Sequence, residues 1–273
     1  TQEQPLSAIA EAFRNLRTSL QYVSLDAPLR TLLVTSTEPD EGKTFVASNL
    51  ATAFALTGQR VLLLEADLRR STLHRRWKEK RTPGLTEALK AFSDALLEGM
   101  DTAPATGASE TATSALAPVL ALVRPTRVEG LGLLTSGSEV STPSELLNSQ
   151  TFRRLLAAMA EAYDLIVVDT PPILAVTDAA VIASYVDGVV VVTVSGKTRL
   201  PSAARAIERI QDVGGHLLGL VVNRLTARSG GYYYHYYEYS NDYTYGSGDG
   251  RDGKDAGSSV MSRVRQRKES SHA

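Results

Sequence analysis

The sequence contains no cysteine. That removes disulfides, thiolate metal sites and a cysteine nucleophile at once. Its four histidines, His74, His216, His235 and His272, are too scattered to suggest a metal-ligand spacing. There is no excess of charge either. The 29 basic and 30 acidic residues give a formal net charge of −1, so no global basic field exists to attract nucleic acid, and no nucleic-acid partner is expected. No apolar run approaches the ~18–20 residues needed to span a bilayer, and no signal peptide is visible. The chain opens on Thr1 rather than methionine. The expectation is therefore a piece excised from something longer, with any upstream membrane segment outside this sequence.

What is present is an ordinary soluble composition, 43% hydrophobic and 22% charged, on 273 residues, enough for one sizeable α/β core. Ile9, Phe13, Leu16, Leu20 and Val23 recur at three- and four-residue steps and predict an amphipathic helix, with Glu11, Arg14 and Arg17 on another arc. Strands are then predicted at Thr31–Ser36, Arg60–Glu65, Leu131–Thr135, Leu165–Asp169, Gly188–Val194 and Leu217–Val222. Helices are predicted at Lys43–Leu56, Ser144–Ala162, Asp178–Tyr185 and Ser202–Val213. Several strands are unbroken Val/Leu/Ile runs. Such runs imply burial on both faces, hence a mostly parallel central sheet with helices on both sides. The stretch Gly99–Pro118 is rich in Ala, Thr, Ser and Gly and reads as a mobile insertion. From Arg228 onward the chain is Gly/Ser/Tyr-rich and then charged, and reads as a disordered tail. The expected layout is an N-terminal oligomerisation helix over 1–28, a P-loop domain over 29–227 and the tail over 228–273.

The strongest chemical signal lies between the first strand and the next helix: Thr37-Glu38-Pro39-Asp40-Glu41-Gly42-Lys43-Thr44. This is the setting of a Walker A loop. Backbone N–H groups at the helix start take phosphate oxygens, the lysine reaches the β- and γ-phosphates, and the Thr44 hydroxyl ligates Mg²⁺. Phe45 belongs to the same first turn. Thr37 stands where the usual pattern has its first glycine, and a Gly-Lys-Thr alone is equally an ordinary strand-to-helix turn. Two further strand ends add weight. Leu165–Asp169 is an apolar run closed by a carboxylate, as in Walker B, which can hold Mg²⁺ through water. Alone, Asp169 reads equally as a solvated strand-end residue. Glu65 and Asp67 follow another buried strand, where carboxylates can ligate the metal or accept a hydroxyl proton. Together the motifs predict an α/β P-loop NTPase that binds ATP and Mg²⁺.

Eight of the 11 tyrosines fall in one stretch of the tail: Tyr232, Tyr233, Tyr234, Tyr236, Tyr237, Tyr239, Tyr243 and Tyr245. A buried strand would not carry so many phenols among Gly, Ser, Asn and Asp, because buried hydroxyls need partners. By itself the cluster reads as an adhesive aromatic patch or a tail that folds on a partner. Behind a phosphoryl-transfer site it reads as substrate.

From about Ile9 to Tyr245 the chain resembles the bacterial tyrosine kinases that regulate export of capsular and exopolysaccharides. The carriers are Glu11-x-x-Arg14-x-x-Arg17, the loop at Thr37–Thr44, Glu65-Ala66-Asp67-Leu68-Arg69 as the second Walker motif, Asp169-Thr170-Pro171-Pro172 and the tyrosine tail. Pro143-Ser144-Glu145-Leu146-Leu147 is also similar to that family. The resemblance implies a protein-tyrosine kinase that autophosphorylates its tail in trans. It implies Lys43, Glu65, Asp67 and Asp169 in catalysis, with Thr44, Asp67 and Asp169 around the metal. Glu65 and Asp67 are both candidate bases. Asn223 and Arg224 are candidate adenine contacts. The helix with Glu11, Arg14 and Arg17, otherwise an ordinary solvated face, becomes a contact that builds a homo-oligomeric ring. A membrane activator, fused or separate, and a cytoplasmic place at the inner face of the bacterial membrane are implied too. Two positions depart from the family: Glu65 stands for an aspartate, and Asp40 for a common glycine. Gly99–Pro118 is longer than the family norm. Two other readings stand beside this one. A Min/Par-type ATPase shares fold and motifs, although no extra lysine lies between Thr35 and Gly42. A nucleotide-binding assembly module without kinase activity is the second.

Overall fold

The computed structural model of the chain describes residues 7–23, 28–102 and 115–225, without the side chains of 99–102. The tyrosine cluster and the rest of the tail lie outside the described residues. Seven strands form one sheet in the order β3-β4-β2-β5-β1-β6-β7. They are β1 (Thr31–Ser36), β2 (Val61–Glu65), β3 (Arg124–Pro125), β4 (Leu131–Leu134), β5 (Leu165–Asp169), β6 (Gly188–Val194) and β7 (Leu217–Asn223). All pair in parallel except the two-residue β3, which is antiparallel to β4. The helices are α1 (Ala8–Val23), α2 (Lys43–Ala55), α3 (Leu73–Trp77), α4 (Leu85–Thr102), α5 (115–120), α6 (Pro143–Asn148), α7 (Gln150–Ala162), α8 (Asp178–Ala183) and α9 (Leu200–Asp212).

Strand alternation divides the core in two. Leu33, Ile166, Val168 and Val191 point to one face, where they meet Phe92 of α4, Phe152 of α7, Ile182 of α8 and Ile210 of α9. Leu32, Val34, Val167 and Val190 point to the other, against Phe13 and Leu20 of α1, Leu50 of α2 and Leu73 of α3. Helices therefore cover both faces, which is why the strands read as continuous apolar runs. Each such side chain, fully buried, contributes about 1.5–3 kcal/mol.

The differences from the sequence reading are local. In α1 the buried positions are Ala10, Phe13 and Leu20, while Ile9 and Val23 are each 55% exposed. The middle of the predicted stripe, Phe13, Leu16 and Leu20, packs into the second core, and only its ends are exposed. The expected helix Ser144–Ala162 is two helices. Ser149 is extended between them (φ −67°, ψ 150°), and its hydroxyl accepts from Phe152 N–H as the N-cap of α7. The supposed insertion is helical at both ends. Helix α4 runs to Thr102, and α5 buries Ala115, Leu116 and Val119. Alanine is the best helix former, which low complexity had masked; 103–114 lie outside the described residues. Strand β7 is not buried on both faces. It is an edge, and Leu220 and Val222 are 43% and 49% exposed.

Candidate nucleotide-binding and catalytic site

The site forms where β2, β5 and β1 end side by side. Asp169 at the end of β5 is level with Glu65 of β2 on one flank and Val34 of β1 on the other. Parallel pairing thus brings the three sequence motifs to one rim of the sheet, the usual crevice for ligands in open α/β sheets.

The loop from β1 to α2 is shaped by its own side chains. Glu41 is fully buried, and its carboxylate accepts from the Thr37 hydroxyl at 2.8 Å, from Glu38 N–H at 2.9 Å and from the Thr198 hydroxyl. This explains why Thr37 replaces glycine. Its φ is not positive, and its hydroxyl helps close the loop. Asp40 is left-handed (φ 63°), a conformation that glycine adopts freely and aspartate tolerates. It is exposed, so its charge faces solvent. Gly42 (φ 94°) is the N-cap of α2, and no side chain caps that helix end. A Cβ on Gly42 would stand 2.3 Å from Asn223 Nδ2, which itself donates to Glu41 O at 2.9 Å. The result is an uncapped helix N-terminus with its first-turn amides, a ready site for phosphate oxygens.

Lys43 and Thr44 then point at the strand-end carboxylates. Lys43 Nζ is 2.9 Å from Asp67 Oδ2 and 4.0 Å from Asp169 Oδ1. The Thr44 hydroxyl donates to Asp169 Oδ2 at 2.7 Å. Among the described residues Asp169 Oδ1, fully buried, has no hydrogen-bond partner. Burial pushes the Asp169 carboxyl up to about 6, partly offset by Lys43 and the Thr44 hydroxyl and reinforced by Glu65 and Asp67. Burial also pulls Lys43 down, but Asp169, Asp67 and Glu65 outweigh it and leave its pKa raised. Lys43 is therefore firmly cationic. A buried carboxylate oxygen lacking a donor, beside a threonine hydroxyl and a second aspartate, is the oxygen set that Mg²⁺ prefers. The residues fit the metal.

The two carboxylates of the Glu65-Ala66-Asp67 motif are used differently. Glu65 accepts four hydrogen bonds: Thr72 N–H at 2.6 Å and Leu73 N–H at 2.7 Å on Oε1, the Ser71 hydroxyl at 2.8 Å and Ser136 N–H at 3.1 Å on Oε2. It anchors the start of α3 and the end of β4. Asp67 accepts only Arg70 N–H and Lys43. Arg69, two residues on, forks onto the buried Asp178 at 2.8 and 3.1 Å and onto Ser144 Oγ at 2.9 Å. This network ties the Pro143-Ser144-Glu145 segment to the site; sequence reasoning named Arg69 and Ser144 but missed Asp178, whose only signal is its place at the first turn of α8. Glu41 and Thr198 were likewise not foreseen as partners, being 157 residues apart.

Other expected site residues fall outside this cluster. Phe45 turns away, its ring edge-on to Phe13 at 5.7 Å. Asn223 braces the loop as described, and Arg224 is exposed at φ 56° with its N–H on Asn223 Oδ1. In α1, Arg14 pairs with Glu11 at 2.5 Å, while Arg17 donates to Ala53 O of α2 at 2.9 Å.

Comparison with known proteins agrees with this geometry. Residues 32–247 match the CobQ/CobB/MinD/ParA nucleotide binding domain family. Over 220 residues the chain is 36% identical to the tyrosine-protein kinase YwqD of Bacillus subtilis, covering 81% of this chain and 83% of that one. It is 33% identical to the tyrosine-protein kinase Wzc of Salmonella typhimurium over 86% of this chain, but spans only 30% of Wzc. The solved kinase domain of Escherichia coli tyrosine kinase Etk superposes with a TM-score of 0.67 at 31% identity, covering 82% of this chain and 80% of that one. Fold, loop and profile together define a P-loop nucleotide-binding domain. Within that class, the chain belongs to the bacterial tyrosine kinases.

Proposed function

We propose that the chain transfers the γ-phosphoryl group of ATP to protein tyrosines, including its own cluster between Tyr232 and Tyr245. The observation that carries this reading is that Lys43 and Thr44, at the start of α2, meet Asp67 and Asp169 at the ends of adjoining strands, in a chain of tyrosine-kinase ancestry. The α2 amides and Lys43 hold the phosphate charge. Thr44 and Asp169 would hold Mg²⁺, with Asp67 supporting that network, and the bound metal would neutralise phosphate charge. A tyrosine hydroxyl, with a pKa near 10 in water, attacks the γ-phosphorus. The bond to the ADP oxygen breaks, and the phenolic proton passes to a carboxylate. Asp67 is the better base, because each of its oxygens accepts a single hydrogen bond, from Arg70 N–H and from Lys43, whereas each oxygen of Glu65 already accepts two. Each phosphotyrosine adds about −1.5 to −2 charges, so the product is repelled by the acidic rim.

The same reading places the reaction in trans within a homo-oligomeric ring built through Glu11, Arg14 and Arg17. Arg14 and Glu11 are 37% and 44% exposed, and arginine forks give directional contacts. It also places the protein in the cytoplasm at the inner face of the membrane, under a membrane activator, in control of polysaccharide synthesis or export. Among the described residues no helix is long and apolar enough to cross a membrane; the activator segment of this reading is either fused to the chain or separate.

The test is incubation with ATP and Mg²⁺ followed by mass-spectrometric mapping, with Lys43→Met as control. Phosphate on Tyr232–Tyr245, absent from the variant, is expected. ADP release with an unmodified tail would indicate a Min/Par-like ATPase instead. For the ring, Arg14→Ala with Arg17→Ala is expected to reduce both oligomer mass and tail phosphorylation; no change in either would rule it out.

A further inference from the structure

Between the start of α1, the outer face of α2, α3 and β3 lies a cavity of about 970 Å³, a size typical of ligand sites. Its walls include Phe45 and Trp77, and Ser48 offers a hydroxyl on α2. Three cations, Arg76, Lys78 and Arg127, line it against one carboxylate, Glu79. The Arg76 guanidinium lies over the Phe45 ring at 4.9 Å. Among the described residues, neither a hydrogen bond nor an ion pair engages its donors. Arg76 as a whole is exposed, yet the guanidinium is crowded enough that desolvation holds its pKa below the ordinary arginine value, with only the field of Asp169 opposing. An arginine laid on an aromatic ring with its fork unused is prepared for a planar or tetrahedral anion. The indole of Trp77 donates to Ser48 Oγ at 3.4 Å, which helps fix that wall.

We infer that this cavity is a phosphotyrosine site, taking the phosphate on Arg76 and the phenyl ring among Phe45 and Trp77. The inference rests on the kinase reading for its ligand, since an aryl phosphate is that reaction's product. The cavity and the catalytic cluster meet at one point of the chain: Phe45 follows Thr44 directly. The acidic rim repels the product while the cationic cavity retains it, and a phosphorylated chain is held beside the loop that modified it. The phosphotyrosine can come from another copy of this chain or from a separate phosphoprotein.

The experiment uses the full chain, phosphatase-treated and free of nucleotide, and a fluorescent peptide with the sequence Tyr239–Tyr245 phosphorylated at Tyr243. Fluorescence anisotropy is expected to report saturable binding, at least tenfold weaker for the unphosphorylated peptide and for one with phosphoserine at that position. Arg76→Gln is expected to weaken binding at least tenfold with an unchanged unfolding temperature, and Arg76→Lys to keep part of it. Equal binding of the phosphoserine peptide, displacement of the peptide by ADP, or full binding by a folded Arg76→Gln protein would each overturn the site. Tyrosine phosphorylation measured on the same preparation separates the two failures. Catalysis without peptide binding refutes the cavity, and peptide binding without catalysis refutes the kinase reading. If copies of this chain are the source, prior reaction with ATP lowers peptide binding increasingly with protein concentration; if a separate protein is the source, it does not.

Discussion

Two sets of buried acidic groups stand within one rim of the sheet, and they differ in how completely they are satisfied. Glu41 and Glu65 are saturated: the first by Thr37, Glu38 and Thr198, the second by four donors from two segments. Asp67 and Asp169 are not. Asp67 accepts one hydrogen bond on each oxygen, from Lys43 and from Arg70 N–H, and among the described residues Asp169 Oδ1, 4.0 Å from Lys43 Nζ, has no hydrogen-bond donor. A buried polar atom left unpaired costs about 1–3 kcal/mol. On the proposed reading, the carboxylates left less satisfied are the ones kept for a ligand, so that glutamate builds the site and aspartate operates it.

The contrast breaks most visibly at Asp169. Asp169→Asn is expected to remove tyrosine phosphorylation by about three orders of magnitude, comparable to losing a major charge-stabilising group. Its melting temperature should hold or rise, because a buried charge that Lys43 and Thr44 only partly offset disappears. Phosphate incorporation and a thermal melt measure both.

A smaller effect concerns pH. Asp169 is raised to about 6 in the folded protein, so below its unfolded value near 4 the stabilising protonated form is fully present. That contribution, on the order of a few kcal/mol, is lost as pH climbs from about 4 through 6. Mg²⁺ requires the ionised form, so protons and metal compete. Magnesium-dependent nucleotide affinity is expected to fall by up to about tenfold per unit below pH 6, and ligand-induced stabilisation should be larger at pH 8 than at pH 5. Calorimetric titration across that range checks the sign. Smallest is Thr37→Gly, which restores the usual loop residue. It removes a hydroxyl that closes on Glu41, and is expected to cost about 1 kcal/mol in a melt while leaving nucleotide binding within a fewfold.

Much of this was legible in the sequence. Strands β1, β5 and β6 have the predicted bounds because unbroken Val/Leu runs bounded by Ser, Asp and Gly admit few alternatives. Gly42-Lys43-Thr44 marked the start of α2, and Asp169 marked the end of β5, because each is a local pattern. What could not be read depends on contacts distant in the chain. Ser136 reaches Glu65 across 71 positions, and Asp178 reaches Arg69 across 109. No local rule separates a saturated Glu65 from an open Asp67 two residues on, so sequence left both as bases. The exposure on β7 could not be read for a related reason. Apolar residues announce a buried face, but an edge strand has no neighbour beyond it to bury Leu220 and Val222.

The division between the two carboxylates is tested most directly by measuring single-turnover tyrosine phosphorylation and thermal unfolding in Glu65→Gln and Asp67→Asn. Asparagine at 67 is expected to slow phosphoryl transfer about 10²–10⁴-fold, the usual worth of a positioned base, with little change in melting temperature. Glutamine at 65 turns an amide donor toward other donors. It should lower stability by about 1–3 kcal/mol, several degrees of melting temperature, while the rate in the protein that remains folded stays within about tenfold. The reverse pattern, with a stable but inactive Glu65→Gln protein and an active Asp67→Asn protein, would contradict the account and make Glu65 the base.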